Sequence, residues 1–197
     1  AGPDVISCAN NPSVVLNGAI TAASGGIWSG GLGTYSPSNT SLKVTYVPTA
    51  AEISNGKVTH TLTTTGNGGC PPGIDAANHI ITPAPVILAS PASGCVDQLG
   101  IQLNATVSNA TGGTWQTSGT GTFSPNANTL NAVYLPSAAD KSNGSVNLTI
   151  TSTGNGTCLP VQDSKILTIT PPPTVNAGIN QKICYDNTSV TLNGSVT

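Results

Sequence analysis

Residues 25–37 read Gly25-Gly26-Ile27-Trp28-Ser29-Gly30-Gly31-Leu32-Gly33-Thr34-Tyr35-Ser36-Pro37. They return as Gly112-Gly113-Thr114-Trp115-Gln116-Thr117-Ser118-Gly119-Thr120-Gly121-Thr122-Phe123-Ser124-Pro125. Trp115 follows Trp28 by 87 positions and Pro125 follows Pro37 by 88, so the second copy carries one extra residue in the loop after its tryptophan. The larger spacing then holds from Tyr46-Val47-Pro48 to Tyr134-Leu135-Pro136, and from Thr65-Gly66-Asn67-Gly68 to Thr153-Gly154-Asn155-Gly156. A third copy opens near the end. Ala177-Gly178-Ile179-Asn180 answers Ala1-Gly2-Pro3-Asp4, and Ser189-Val190-Thr191-Leu192-Asn193-Gly194 answers Ser13-Val14-Val15-Leu16-Asn17-Gly18. Matches spread along a whole period identify a tandem repeat. The chain therefore divides by sequence into a first copy over 1–84, a second over 85–172 and the start of a third over 173–197.

Each copy reads as all-β. Val14-Val15-Leu16 and Ile101-Gln102-Leu103 begin strands of period two, followed by the tryptophan segment, Leu42–Val47 and Val58–Thr63. Ile80-Ile81-Thr82 and Ile166-Leu167-Thr168-Ile169 close the two copies. Gly, Pro and Asn clusters punctuate these runs at the spacing of a small β-sandwich, Ig-like or PKD-like. One interruption recurs: Thr49 or Ser137, followed three residues later by Glu52 or Asp140, forms a capping box, and Gly56 or Gly144 ends the helical turn. The joints Thr82-Pro83-Ala84-Pro85 and Thr170-Pro171-Pro172-Pro173 favour stiff, extended polyproline II, which predicts modules arranged end to end as a rod.

Composition narrows the function. Charged residues make up 6% of the chain, against about 25% in ordinary globular proteins. Five Lys and no Arg leave no basic field for nucleic acid, and the net charge is only −2. No run approaches the roughly 18 apolar residues of a membrane-spanning helix. Hydrophobic residues at 37% are nonetheless enough to build cores. The chain opens in what reads as mature sequence and stops inside a strand-like run, so it is expected to be a segment of something longer.

The cysteines follow the repeat. Cys8 and Cys70 are 62 positions apart, Cys95 and Cys158 are 63 apart, and Cys184 takes the place of Cys8 and Cys95 in the third copy. The simplest pairing is one disulfide within each copy, Cys8–Cys70 and Cys95–Cys158, with Cys184 left alone. A metal site is the alternative, but no CxxC spacing or histidine partner supports it. Disulfides imply an oxidising, extracellular setting.

Two copies also test for shared chemistry, since a residue essential to a common activity should occur in both. His60 faces Leu148 and His79 faces Leu167, so neither is a shared base. Lys43, Lys57, Lys141 and Lys165 face Asn131, Ser145, Ile53 and Ala77, which argues against a shared Lys–Asn isopeptide bond. Glu52 and Asp140 recur as caps. Asp75 and Asp163 recur in the turn before the last strand, where a turn-stabilising role competes with calcium ligation. Asn10, Asp97 and Asp186 share a position just after the first cysteine. Trp28 and Trp115, with Tyr46 and Tyr134, read as core residues, although an exposed tryptophan could stack on a sugar. Tyr35 and Phe123 are the better candidates for exposed, ligand-contacting rings. No cofactor is implied, and no catalytic motif is present, so the chain does not read as an enzyme.

Taken together, Ala-Gly-Pro-Asp, Gly-Gly-Ile-Trp-Ser-Gly, Gly-Thr-Tyr-Ser-Pro, Tyr-Val-Pro-Thr-Ala-Ala-Glu and Leu-Thr-Thr-Thr-Gly-Asn-Gly-Gly-Cys-Pro-Pro resemble repeats of the giant cell-surface adhesins of Bacteroidota, of which SprB-type gliding adhesins are the best known. The resemblance covers essentially the whole chain. It implies an Ig-like or PKD-like sandwich, export by the type IX secretion system, a cell-surface location and a place in gliding motility. The second copy departs from the pattern at Ala89-Ser90-Pro91 and Gln116-Thr117-Ser118, both in loops. The leading expectation is a structural stalk that projects a distal binding region, with further copies of the repeat as neighbours. Carbohydrate-binding modules acting by multivalency on a surface polysaccharide or solid substratum are the runner-up. A self-assembling surface filament is third.

Overall fold

The computed structural model describes residues 1–186 and 189–197. Strand accounts for 45% of the chain and helix for 6%, an all-β sandwich fold. Packing divides the chain into two compact units. One comprises Ala1–Leu88 with Ala105–Thr114 and Ile150–Asp163; the other comprises Ala89–Asn104, Trp115–Thr149 and Ser164–Thr197.

The first copy runs β1 (Val5–Cys8), β2 (Val14–Asn17), β3 (Gly25–Ser29), β4 (Thr34–Ser36), β5 (Lys43–Val47), α1 (Ala50–Asn55), β6 (Lys57–Thr65) and β7 (Ile74–Thr82). One sheet has the order β1-β7-β6-β3 and the other β2-β5-β4. Strand periodicity decides which residues meet between them. Val58, His60 and Leu62 of β6 and Ala77, His79 and Ile81 of β7 alternate inward, while Lys57, Thr59 and Ile80 face solvent. Leu16, Val44 and Tyr46 come from the second sheet, and Trp28 fills the centre fully buried. Its indole nitrogen donates to Ser41 O at 3.1 Å and Leu42 O at 3.3 Å, so the ring is sealed without leaving a polar atom unpaired.

The second copy runs β8 (Val86–Ala89), β9 (Ser93–Cys95), β10 (Ile101–Gln102), β11 (Ala105–Ser108), β12 (Gly112–Thr117), β13 (Thr122–Ser124), β14 (Val133–Leu135), α2 (Ala138–Asn143), β15 (Ser145–Thr153) and β16 (Gln162–Thr170). Its sheets are β12-β15-β16-β9, β10-β14-β13 and a small β11-β8 pair. Trp115 and Tyr134 are buried, and the Trp115 indole donates to Leu130 O at 3.0 Å. Beyond it, β17 (Val175–Asn176) pairs with β18 (Ser195–Val196).

Two differences from the sequence reading bear on the site. The closing strands are nine residues long, β7 starting at Ile74 and β16 at Gln162, so Asp75 and Asp163 lie in strands and not in turns. In addition, the residues leading into the first cysteine of each copy form a strand. β1 runs parallel to the end of β7, with Cys8 opposite Thr82, and β9 runs parallel to the end of β16, with Cys95 opposite Thr170.

Candidate functional site

Those two strands overturn the expected disulfides. Cys8 sits beside the last residue of β7, whereas Cys70 lies in the turn before the first. Nine residues at about 3.3 Å each separate the two positions by roughly 25–30 Å, far beyond the ~4–7 Å that a disulfide spans between Cα atoms. Cys95 and Cys158 stand in the same relation along β16. Neither Cys8–Cys70 nor Cys95–Cys158 forms. Instead Cys8 of the first copy bonds Cys158 of the second, with Cα atoms 4.9 Å apart, inside the first compact unit. Cys70 and Cys184 are exposed thiols and Cys95 is half-buried.

The local structure presenting each sulfur is simple. Before Cys158, the Thr153–Thr157 turn reverses the chain between β15 and β16. Cys158 N donates to Asn155 O at 3.0 Å, and the Asn155 side chain donates to Ser152 O at 3.1 Å. Gly154 holds φ at 66°, and a Cβ there would lie 1.9 Å from Thr111 Oγ1, so the position requires glycine. On the other side, Cys8 is fixed by Ala9 N donating to Thr82 O at 2.9 Å and Asn11 N donating to Cys8 O at 2.9 Å. Asn10 completes the clasp. Its amide donates to Leu159 O at 2.9 Å and its carbonyl accepts from Leu159 N at 3.1 Å. Asn109 donates to Ala84 O at 2.9 Å beside it. Sequence reasoning noted Asn10 only as a recurring polar position; the two-point backbone grip needs an amide that both donates and accepts.

The second constellation is buried inside the first copy. Glu52 accepts from Leu32 N at 2.7 Å, Tyr46 OH at 2.7 Å, Thr49 N at 2.8 Å and Thr49 Oγ1 at 2.9 Å. Burial pushes its carboxyl pKa up, but these hydrogen bonds outweigh burial and hold it at about 2. Burial and the bond to Glu52 raise the Tyr46 phenol beyond its ordinary range. Asp140 repeats the arrangement with Thr120 N, Tyr134 OH and Ser137 N, and is likewise held low by those bonds against its burial. The capping role is thus half of what Glu52 and Asp140 do. Each also ties its helix to the central tyrosine and to the loop after the tryptophan strand.

Around Tyr46 stand His60 and His79, both fully buried, with ring centroids 5.8 Å apart. Tyr35 OH bonds His60 Nδ1 at 2.9 Å and also reaches Gly30 O; Ser7 Oγ bonds His79 Nε2 at 2.7 Å. Burial lowers the His60 pKa to about 4, with the neighbouring His79 adding to the shift and Glu52 opposing it; burial lowers His79 as well. The second copy replaces the set together: Tyr35, His60, His79 and Ser7 become Phe123, Leu148, Leu167 and Gly94. Changing both members of a buried pair to apolar groups leaves nothing unsatisfied, so both versions fold. Sealed from solvent, neither histidine can meet a substrate.

Tyr35 and Phe123 are not free platforms. Tyr35 packs on Tyr46 with centroids 4.8 Å apart, and Phe123 lies between Tyr134 at 5.2 Å and Trp115 at 6.4 Å. Each ring is only half exposed. Asp75 receives the Ala1 ammonium at 2.6 Å. Asp163 is half-buried in β16, while Asp97 and Asp186 are exposed. Among the described residues no group of three or more His, Cys, Asp or Glu side chains is placed to hold a metal ion, and no helix is long and apolar enough to cross a membrane.

No family model and no curated protein matches the sequence. Solved structures do match the fold. The N-terminal eight Ig domains of Down syndrome cell adhesion molecule align at a TM-score of 0.50 and 12% identity, covering 88% of this chain and 24% of that one. Protocadherin gamma B2 cadherin domains 3–6 align at 0.38 and 12%, over 88% of this chain and 46% of theirs. Human protocadherin-24 EC1–2 aligns at 0.39 and 12%, over 85% and 95%. The chain spans less than half the length of the first of these neighbours. The fold is an Ig-like β-sandwich.

Proposed function

We propose that this chain is a stretch of structural repeats in an extracellular surface adhesin, serving to carry a distal binding region and to hold under load. The observation that carries the reading is the Cys8–Cys158 bond, which welds one copy to the next and belongs to an oxidising compartment. Sealed histidines, core-facing aromatics and recurring Trp, Gly, Pro and Cys support a scaffold. The names of the structural neighbours, cell-adhesion and cadherin proteins, agree with adhesion outside the cell. The resemblance to SprB-type repeats of Bacteroidota adds type IX export and gliding to this reading, with further copies of the repeat flanking these.

Stretching a single molecule by its ends tests it. With the disulfide intact, pulling bypasses everything between Cys8 and Cys158; reductant should release a further extension of roughly 500 Å, the reach of a 150-residue separation at about 3.3–3.6 Å per residue. Equal extension in both conditions would sink the load-bearing role. Reproducible glycan-array binding lost in Tyr35→Ala and Phe123→Ala would replace it with a carbohydrate-binding module, and concentration-dependent polymerisation would replace it with a filament subunit.

A further inference from the structure

The bonded half-sites at Cys8 and Cys158 each have an unbonded duplicate. Cys70 occupies a turn of the same conformation as that of Cys158. Its N donates to Asn67 O at 3.2 Å, the Asn67 side chain donates to Thr64 O at 3.2 Å, and Gly66 has φ 67° where Gly154 has 66°. Cys95 duplicates Cys8. Val96 N donates to Thr170 O at 2.9 Å and Gln98 N to Cys95 O at 3.0 Å, as Ala9 and Asn11 do around Cys8. Thr170 Oγ1 even donates to Gly94 O at 3.3 Å as Thr82 Oγ1 does to Ser7 O at 3.0 Å.

What covers these half-sites is visible where they are occupied. Beside Cys158, Asn155 and Asn109, the wall is completed by Ile6, Thr82 and Pro83 of the preceding copy. In the first copy Cys70 and Asn67 likewise line a cavity, of about 410 Å³, together with Ala22, Thr64 and Pro71. From this we propose that Cys8–Cys158 is one rung of a staggered series. The first cysteine of each copy bonds the second cysteine of the copy that follows. Cys95 then takes the second cysteine of a following copy, and Cys70 takes the first cysteine of a preceding one.

The proposal rests on flanking copies, as in the function proposed above. Each rung forms by oxidation of two thiols: two protons and two electrons leave, and an oxidised disulfide carrier accepts them, becoming two thiols. The clasp is not copied in full. Asp97 stands where Asn10 does and lacks its N–H donor, and Pro71 stands where Leu159 does and lacks a backbone N–H. The sulfurs are therefore the feature common to every rung.

The test completes the third copy by extending the full chain past Thr197 with residues 109–172. It is refolded with glutathione disulfide and its bonds are mapped by peptide mass spectrometry without reduction. The expected result is Cys8–Cys158 together with Cys95 bonded to the appended copy of Cys158, with Cys70 and Cys184 alkylated. Cys95→Ser should leave the appended cysteine alkylated and Cys8–Cys158 unchanged. A bond from Cys184 to the appended cysteine, or Cys95 left as a free thiol while Cys8–Cys158 forms, would overturn the series. Either result leaves the load-bearing reading standing, because that reading falls by the stretching and glycan measurements instead.

Discussion

Glu52 is a buried carboxylate in a chain with very few charges, and its four donors explain why it is tolerated there. Two come from Thr49, one from Leu32 and one from Tyr46, so a helix end, a loop and the core tyrosine all close on one side chain. Glu52→Ala should destabilise the chain by about 2–4 kcal/mol in urea unfolding, since it removes half of the capping box and leaves the buried Tyr46 O–H without its acceptor. A loss below 0.5 kcal/mol would show that the network is dispensable. His60 supplies a pH dependence of the same sign. Its folded pKa is about 4, below the ~6.5 of an unfolded histidine, so between those values the unfolded chain takes up a proton that the folded one refuses. Stability is full above roughly pH 6.5 and falls on acidification toward 4, by an amount on the order of 3 kcal/mol. Glu52, held near 2, adds a further loss at lower pH. Melting curves at pH 7 and 4.5 should differ clearly for the natural chain. They should differ less in Tyr35→Phe with His60→Leu, which installs the second copy's apolar pair.

At the scale of elements, the turn between the two long strands decides where a sulfur points. Gly154 allows that turn by adopting a positive φ in contact with Thr111. Gly154→Ala should cost about 1–2 kcal/mol and raise the fraction of Cys158 open to alkylation after refolding. Unchanged alkylation would mean the turn does not position the sulfur. Much of this architecture is legible in the sequence. The duplicated tryptophan segment, the capping boxes and the punctuation by glycine and proline read directly as sandwich construction. The cysteine pairing does not, for two physical reasons. β1 and β9 are short and mixed, Val-Ile-Ser-Cys and Ser-Gly-Cys, without the alternation that marks a strand. Their parallel pairing to a strand some 75 residues away also leaves no local trace. Repeat symmetry, for its part, requires only that every copy be treated alike, which a bond within a copy and a bond to the next copy satisfy equally. The exchange of Tyr35 and His60 for Phe123 and Leu148 was visible as a list of differences, but its meaning as one buried pair needed the packing.

For the whole molecule, the disulfide closes a loop of 150 residues, which in the chain-entropy account stabilises the fold by about 5 kcal/mol. Reduction, or Cys8→Ser, should lower the unfolding free energy by roughly 2–5 kcal/mol in matched denaturant titrations. Reductant should then have no further effect on the Cys8→Ser chain; a second drop would point to another bond.

The same closed loop changes what it means to cut this protein. Lys43, Lys57 and Lys141 lie between Cys8 and Cys158, and only Lys165 and Lys182 lie outside. A protease that nicks the chain once at any of the first three sites opens a ring and does not divide the molecule. After limited trypsin treatment, chains nicked at these positions should migrate as one species without reductant and separate into two with it. Fragments that part company without reductant after such a nick would disprove this. The chain can thus lose the continuity of its backbone and still keep both of its ends.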